Sequence, residues 1–159
     1  MADPVAPNDG KSTVQLECTP DTFTPLLDLR VRWLDREADL HLLGELWLKH
    51  GVSMTEKDWQ GVFDQGFRYC GIVENGVVVA VAAVWTYSPT AWELAAVQTV
   101  EARRGRGYSK AVCSFVTAYI LNNGRLATCS TRADNVAMLR VAAALGFRPA
   151  SPLPATPGR

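Results

Sequence analysis

The sequence predicts an α+β fold: a mixed, mostly antiparallel central sheet with helices on both faces. Three observations carry it. Two apolar runs, Arg68–Glu74 and Val77–Tyr87, are joined by Asn75-Gly76, a pair that tolerates positive φ and so closes hairpins. Tyr108, Ala111, Val112, Phe115, Val116, Tyr119 and Ile120 keep one apolar face at helical spacing for over three turns. A strand at Trp92–Val100, that helix and a strand at Leu126–Thr131 follow in order, as in a strand–helix–strand crossover.

The remaining elements follow from local signals. Residues 1–12 are rich in Pro, Asn, Asp and Gly and read as a disordered N-terminal tail. Residues 13–28 mix apolar and turn residues without a usable pattern. Leu29–Leu34 reads as a short strand. Asp35 is placed to cap a helix running to about His50, with Leu40, Leu43, Leu46 and Trp47 on one face and Gly51 as its stop. Ser53-Met-Thr-Glu56 has the capping-box spacing and predicts a second helix bearing Trp59, Val62 and Phe63. Val77–Trp85 is apolar on both parities, as a strand covered on both faces is. Asn122-Asn-Gly124 ends the long helix, Asn135–Leu145 reads as the last helix, and Phe147–Ala150 starts a final strand. Pro152, Pro154 and Pro157 make 151–159 a proline-rich tail. One domain over 13–150 is expected.

Net charge is zero, with 16 basic and 16 acidic side chains, but its distribution is uneven. Residues 1–102 hold seven basic and fifteen acidic side chains, a net of −8; residues 103–159 hold nine and one, a net of +8. A basic segment of this kind points to an anionic ligand, a polyanion or a membrane surface. Cys18, Cys70, Cys113 and Cys129 have no C-x-x-C spacing and read as free buried thiols. With no signal-peptide pattern at Met1–Ser12 and no apolar run long enough to span a bilayer, a cytoplasmic protein off the membrane is the expectation. His41 and His50 read as helix histidines, and no metal site is expected.

The most informative stretch is Thr99-Val-Glu-Ala-Arg-Arg-Gly-Arg-Gly-Tyr-Ser-Lys110, which joins a strand to a helix. First-turn amides of a helix lack internal partners and, with the helix dipole, attract an anion. Gly105 and Gly107 let backbone approach a ligand closely. Arg104, Arg106 and Lys110 add full charges, and a pyrophosphate suits the set. Neither a dinucleotide fingerprint nor a P-loop is present: Lys110 stands where the third glycine of G-x-G-x-x-G would fall.

Arg104-Gly-Arg-Gly107-Tyr-Ser109 resembles the R/Q-x-x-G-x-G/A acyl-CoA loop of the GNAT N-acetyltransferase superfamily, and Thr99–Tyr108 looks most like its glycine N-acyltransferase-like branch. Asn135-Val-Ala-Met-Leu-Arg-Val-Ala-Ala-Ala-Leu-Gly-Phe147 resembles the superfamily's N-x-x-A-x-x-x-Y-x-x-x-G-F helix. The resemblance implies a GNAT-like fold and an acyl-CoA-dependent N-acyltransferase, with acetyl-CoA as co-substrate and an amine acceptor, small molecule or peptide. It implies that main-chain groups of Val97, Gln98 and Thr99 pair with the pantetheine arm. Gly105, Arg106, Gly107, Tyr108, Ser109 and Lys110 would hold the pyrophosphate with Arg104 at their head, and Asn135 would approach the thiol end. The two N-terminal helices would form much of the acceptor side, and their acidity favours a cationic acceptor.

Glu93, the acid within Ala91–Val100, is the candidate general base; strand alternation gives it a face with Ala95, Val97 and Thr99. Departures from the pattern are Ser109 and Met138 at small-residue positions, and Ala142 where a thiolate-protonating tyrosine is usual. Tyr87 and Tyr119 are the substitutes to weigh. The closing strand expected after Gly146-Phe147 gives way to the proline tail, leaving a sheet edge open or completed by a partner subunit, as in a homodimer. Two other readings compete: a non-catalytic CoA-binding domain, and a basic nucleic-acid-binding module. The second is disfavoured because Tyr108, Phe115 and Tyr119 follow the buried helical period; no nucleic-acid partner is expected.

Overall fold

The computed structural model describes residues 12–43, 48–49, 52–53 and 56–150. Among these, the strands are β1 (Thr13–Cys18), β2 (Arg32–Trp33), β3 (Leu48–Lys49), β4 (Val52–Ser53), β5 (Phe67–Glu74), β6 (Val77–Trp85), β7 (Ala91–Thr99), β8 (Leu126–Arg132) and β9 (Arg148–Pro149). The helices are α1 (Glu56–Asp64), α2 (Tyr108–Asn122) and α3 (Val136–Leu145). The main sheet has the order β2-β5-β6-β7-β8-β1-β9, antiparallel except where β7 meets β8. It is the expected α+β arrangement.

The hairpin forms as its turn residues require: Asn75 and Gly76 take φ of 52° and 76° between Glu74 and Val77. Val78 to Val84 are all buried. Helix α2 covers one face, where the Cys70 thiol donates to the Val112 carbonyl at 3.6 Å. On the other face Trp59 of α1 packs on Tyr69, ring centroids 5.4 Å apart. All four cysteines are buried free thiols.

Two expectations are corrected. The helix from Asp35 to about His50 is absent over the described residues: one 3₁₀ turn, Leu40–Leu42, is followed by β3, which pairs with β4. The Asp35 carboxylate does accept the Glu37 and Ala38 amides. Asp39, however, takes the Asp35 amide (2.6 Å) and a two-pronged Arg32 guanidinium (2.8 and 3.1 Å), tying the turn to β2. Short acidic side chains that bond nearby backbone compete with helix propagation in this way. Residues 44–47, with Leu46 and Trp47 of the expected helix face, His50, the expected stop Gly51 and Met54–Thr55 within the capping box lie outside the described residues, as do 1–11 and 151–159. The expected strand Leu29–Leu34 is reduced to Arg32–Trp33.

Among the described residues the sheet ends in β9, a strand of two residues laid against β1. Residues Thr13–Cys18 form an interior strand, paired with β8 from Thr13↔Arg132 to Cys18↔Ala127 and with β9 at Leu16↔Pro149. Leu16 and Cys18 enter the core. The chain leaving β1 then crosses the end of α3, where the Thr24 amide donates to the Leu145 carbonyl at 2.8 Å. Gly146, at φ 104°, closes that helix; a Cβ there would lie 1.9 Å from the Thr22 carbonyl oxygen.

Candidate active site

The site is built from a fork between two parallel strands. Pairing of β7 with β8 ends at Leu94↔Cys129, although β7 runs on to Thr99 and β8 to Arg132. On its other side β7 passes from Ala83↔Ala95 to Val81↔Gln98, so it carries one extra residue. Ala96 takes that place at φ 53°, a left-handed conformation that non-glycine residues seldom adopt. The bulge bends β7 away from β8 and opens a groove of about 1250 Å³. Its walls are Leu94–Arg104 of β7 and the following turn, Cys129–Thr131 of β8, and Asn135, Ala137, Met138 and Val141 of α3.

The groove runs to the start of α2. Gly105 (φ 75°) and Gly107 (φ 82°) curl the chain into the helix, and a Cβ at either would meet no atom within 4 Å. These glycines therefore serve backbone geometry and leave the space above them clear. Gly107 occupies the N-cap without a side chain, so no side-chain cap satisfies the first-turn amides. Gly105, Gly107, Tyr108, Ser109, Lys110 and Arg104 all line the groove; Arg106 is exposed and does not.

Several of these side chains are engaged within the protein. Arg104 Nε donates to the Thr99 carbonyl at 3.0 Å, which brings the loop back onto the end of β7. Thr99 and Ser109 share a hydrogen bond of 2.6 Å between their hydroxyls, so the serine pins the first helical turn to the strand. The Tyr108 hydroxyl donates to Glu74, which also takes Arg103 Nε at 2.6 Å, while Arg30 stacks 4.6 Å over the Tyr108 ring. The Tyr108 hydroxyl and then the Arg103 guanidinium hold the Glu74 carboxyl below the usual range. Glu74 thus anchors the loop from the hairpin; nothing in sequence pairs it with a tyrosine 34 residues on. Asn135 caps α3, its Oδ1 accepting the Met138 amide at 3.2 Å, at the groove wall.

Glu93 stands beside the fork, not within the groove; its neighbours Leu94 and Ala95 line it. The bulge changes its company. Leu94 and Thr99 turn to the α2 side, and Glu93 shares the opposite face with Ala95 and Gln98, not with Thr99 as simple alternation has it. Burial pushes its carboxyl up, partly opposed by hydrogen bonds from Ser130 and Thr128. The Ser130 hydroxyl, on the groove wall, lies 2.6 Å from Gln15 Oε1 and 3.4 Å from Glu93 Oε1. Sequence reasoning missed Ser130 and Gln15. Ser130 follows the last residue of β8 that pairs with β7, a signal visible only with the register.

Ala142 is fully buried in α3 and does not line the groove; Val141 does. The Tyr87 hydroxyl bonds Thr128 Oγ1 at 3.1 Å. Tyr119 packs edge-on to Trp33 (4.9 Å) and stacks on Trp92 (5.8 Å), away from the groove.

Residues 69–152 match the profile of the FR47-like protein family. The chain belongs to the FR47-like family. Its fold is shared by a GNAT-family protein from Novosphingobium aromaticivorans, with 22% identity, TM-score 0.67, and 93% of this chain and 66% of that one covered. A GNAT-family acetyltransferase from Colwellia psychrerythraea gives 18%, 0.68, 87% and 52%. AAC(6')-Iy, solved with a CoA-linked bisubstrate analog, gives 19%, 0.60, 81% and 97%. The chain thus spans between half and two thirds of the first two proteins. No curated protein matches it in sequence.

Proposed function

We propose that this FR47-like protein is an acyl-CoA-dependent N-acetyltransferase that transfers acetyl directly from acetyl-CoA to a primary amine. The observation that carries the proposal is the fork between β7 and β8 running into a glycine-turned helix start. The likeness to AAC(6')-Iy, a protein solved with a CoA-linked analog, supports it. Within the superfamily, the resemblance of Thr99–Tyr108 supports a reading nearest the glycine N-acyltransferase-like branch.

The donor set fits acetyl-CoA. An extended amide-bearing arm suits a strand without a neighbour on one side, which β7 provides beyond Leu94. The Thr99 carbonyl is taken by Arg104, so Val97 and Gln98 are the residues for that pairing. The pyrophosphate suits the α2 start, with Lys110 beside it and Arg106 free at the rim. When bound, acetyl-CoA supplies an activated thioester. Glu93 takes the proton of the incoming ammonium or amine, directly or through water. Its raised pKa makes it a better base than an ordinary carboxylate. Main-chain N–H groups of β7 past the bulge serve the oxygen of the acyl group. No tyrosine acid is needed at position 142, because a CoA thiolate is a tolerable leaving group.

The second reading, binding without turnover, is favoured by one observation, the buried Ala142. A thermal-shift titration with acetyl-CoA, followed by measurement of free thiol released in the presence of amines, separates the two. The proposal expects stabilisation and amine-dependent release. Stabilisation without release from any amine selects the binding protein, and absence of stabilisation rejects both.

A further inference from the structure

We propose that the acceptor amine is carried on an aromatic ring, which lies against Trp85 and Tyr87 while the amine reaches Glu93. This rests on the acetyltransferase reading and names its acceptor class. The strand register sets Phe67, Trp85, Glu93 and Thr128 side by side in one row across β5, β6, β7 and β8. This row lies on the sheet face away from α2. Phe67 and Trp85 are stacked, centroids 5.3 Å apart and planes within 2°; Tyr87 follows 5.1 Å from Trp85.

The rings are positioned to receive a ligand. Trp85 Nε1 donates to the Gln65 carbonyl at 3.1 Å, which fixes the indole and satisfies its polar atom. The Tyr87 hydroxyl reaches across β7 to Thr128 at 3.1 Å, so its ring lies over the strand that bears Glu93, and it is 44% exposed. The groove opens onto this face, because Ala95 and Ser130 line it and belong to the same side as Glu93. A ring over Trp85 stands roughly 7 Å, one and a half strand spacings, from the gap between β7 and β8. That distance fits an amine on a short alkyl spacer. Aromatic faces beside one carboxylate also favour an ammonium group electrostatically. Glu17 lies beyond Thr128 in the same row, so a polyamine is the competing acceptor to test.

The test measures free-thiol release by the intact protein with acetyl-CoA and five acceptors: 2-phenylethylamine, tryptamine, hexylamine, spermidine and a short peptide with a free N-terminus. The expected result is a KM for the two aryl amines about ten-fold below that for hexylamine. Trp85→Leu is expected to raise the aryl-amine KM about ten-fold more than the hexylamine KM, with kcat little altered, and Trp85→Phe to restore most of the difference. Stabilisation by acetyl-CoA shows that each variant is folded; Tyr87→Leu, read the same way, stands in should Trp85→Leu not fold. Preference for hexylamine, spermidine or the peptide overturns the aromatic acceptor while leaving the transferase intact, as does an equal KM rise for every amine. Failure of the wild-type protein to bind acetyl-CoA overturns both.

Discussion

At Ser130 a single hydroxyl hydrogen faces two acceptors. Gln15 Oε1, at 2.6 Å, holds it more closely than Glu93 Oε1, at 3.4 Å. Gln15 therefore weakens the hydrogen bond from Ser130 to the carboxylate, which only partly opposes the upward shift that burial imposes on Glu93. Replacing Gln15 by Leu frees the hydroxyl to donate to Glu93, which stabilises the charged form and lowers its pKa. Because the base works deprotonated, the acid limb of kcat/KM is expected to move to lower pH in Gln15→Leu and to stay in place in Gln15→Asn. Glu93→Gln is expected to lose that limb and roughly a hundred-fold in kcat. A second residue-scale prediction concerns Gly146. With the Thr22 carbonyl 1.9 Å from the position of a Cβ, Gly146→Ala must displace either α3 or the chain after β1. The expected cost is more than about 3 kcal/mol in urea denaturation.

At the scale of elements, legibility in the sequence followed how local the determinant was. The β5–β6 hairpin was readable because Asn75-Gly76 decides its own conformation, and α2 because its period repeats over its whole length. Strand β1 was not. Only Leu16 and Cys18 of its six residues are buried, and its place between β8 and β9 depends on partners more than 100 residues away. The helix expected after Asp35 failed for a similar reason: its leucine spacing was helical, but Asp39 is held by Arg32 on β2. In the site, the glycine loop was legible from its residue types. The bulge at Ala96 was not, since nothing about an alanine announces positive φ, and with it went which residues beyond Ala95 share the face of Glu93. β1 also yields a prediction. It carries Gln15 to Ser130 and seals the core with Leu16 and Cys18, so deleting residues 1–18 is expected to abolish cooperative thermal unfolding. An unchanged melting transition would show β1 to be an ornament on the sheet.

For the whole molecule, the uneven charge along the chain becomes a division of labour. The basic segment begins at Arg103, beside the turn where the groove meets α2. Part of it is spent internally: Arg103 on Glu74, Arg104 on the Thr99 carbonyl and Arg132 on Asp134. Lys110 and the helix amides remain for an anion. The acidic N-terminal part is likewise engaged, Asp39 with Arg32 and Asp64 with Arg36. The measurement that bears most directly on these assignments is calorimetric titration of acetyl-CoA into wild-type protein and Gly107→Trp. A side chain at Gly107 enters open space above the loop, so the fold is expected to survive with a modest loss of stability from the positive φ. Saturable binding to the wild type and none to a folded Gly107→Trp is the predicted result; equal binding by both would contradict the groove as the acetyl-CoA site.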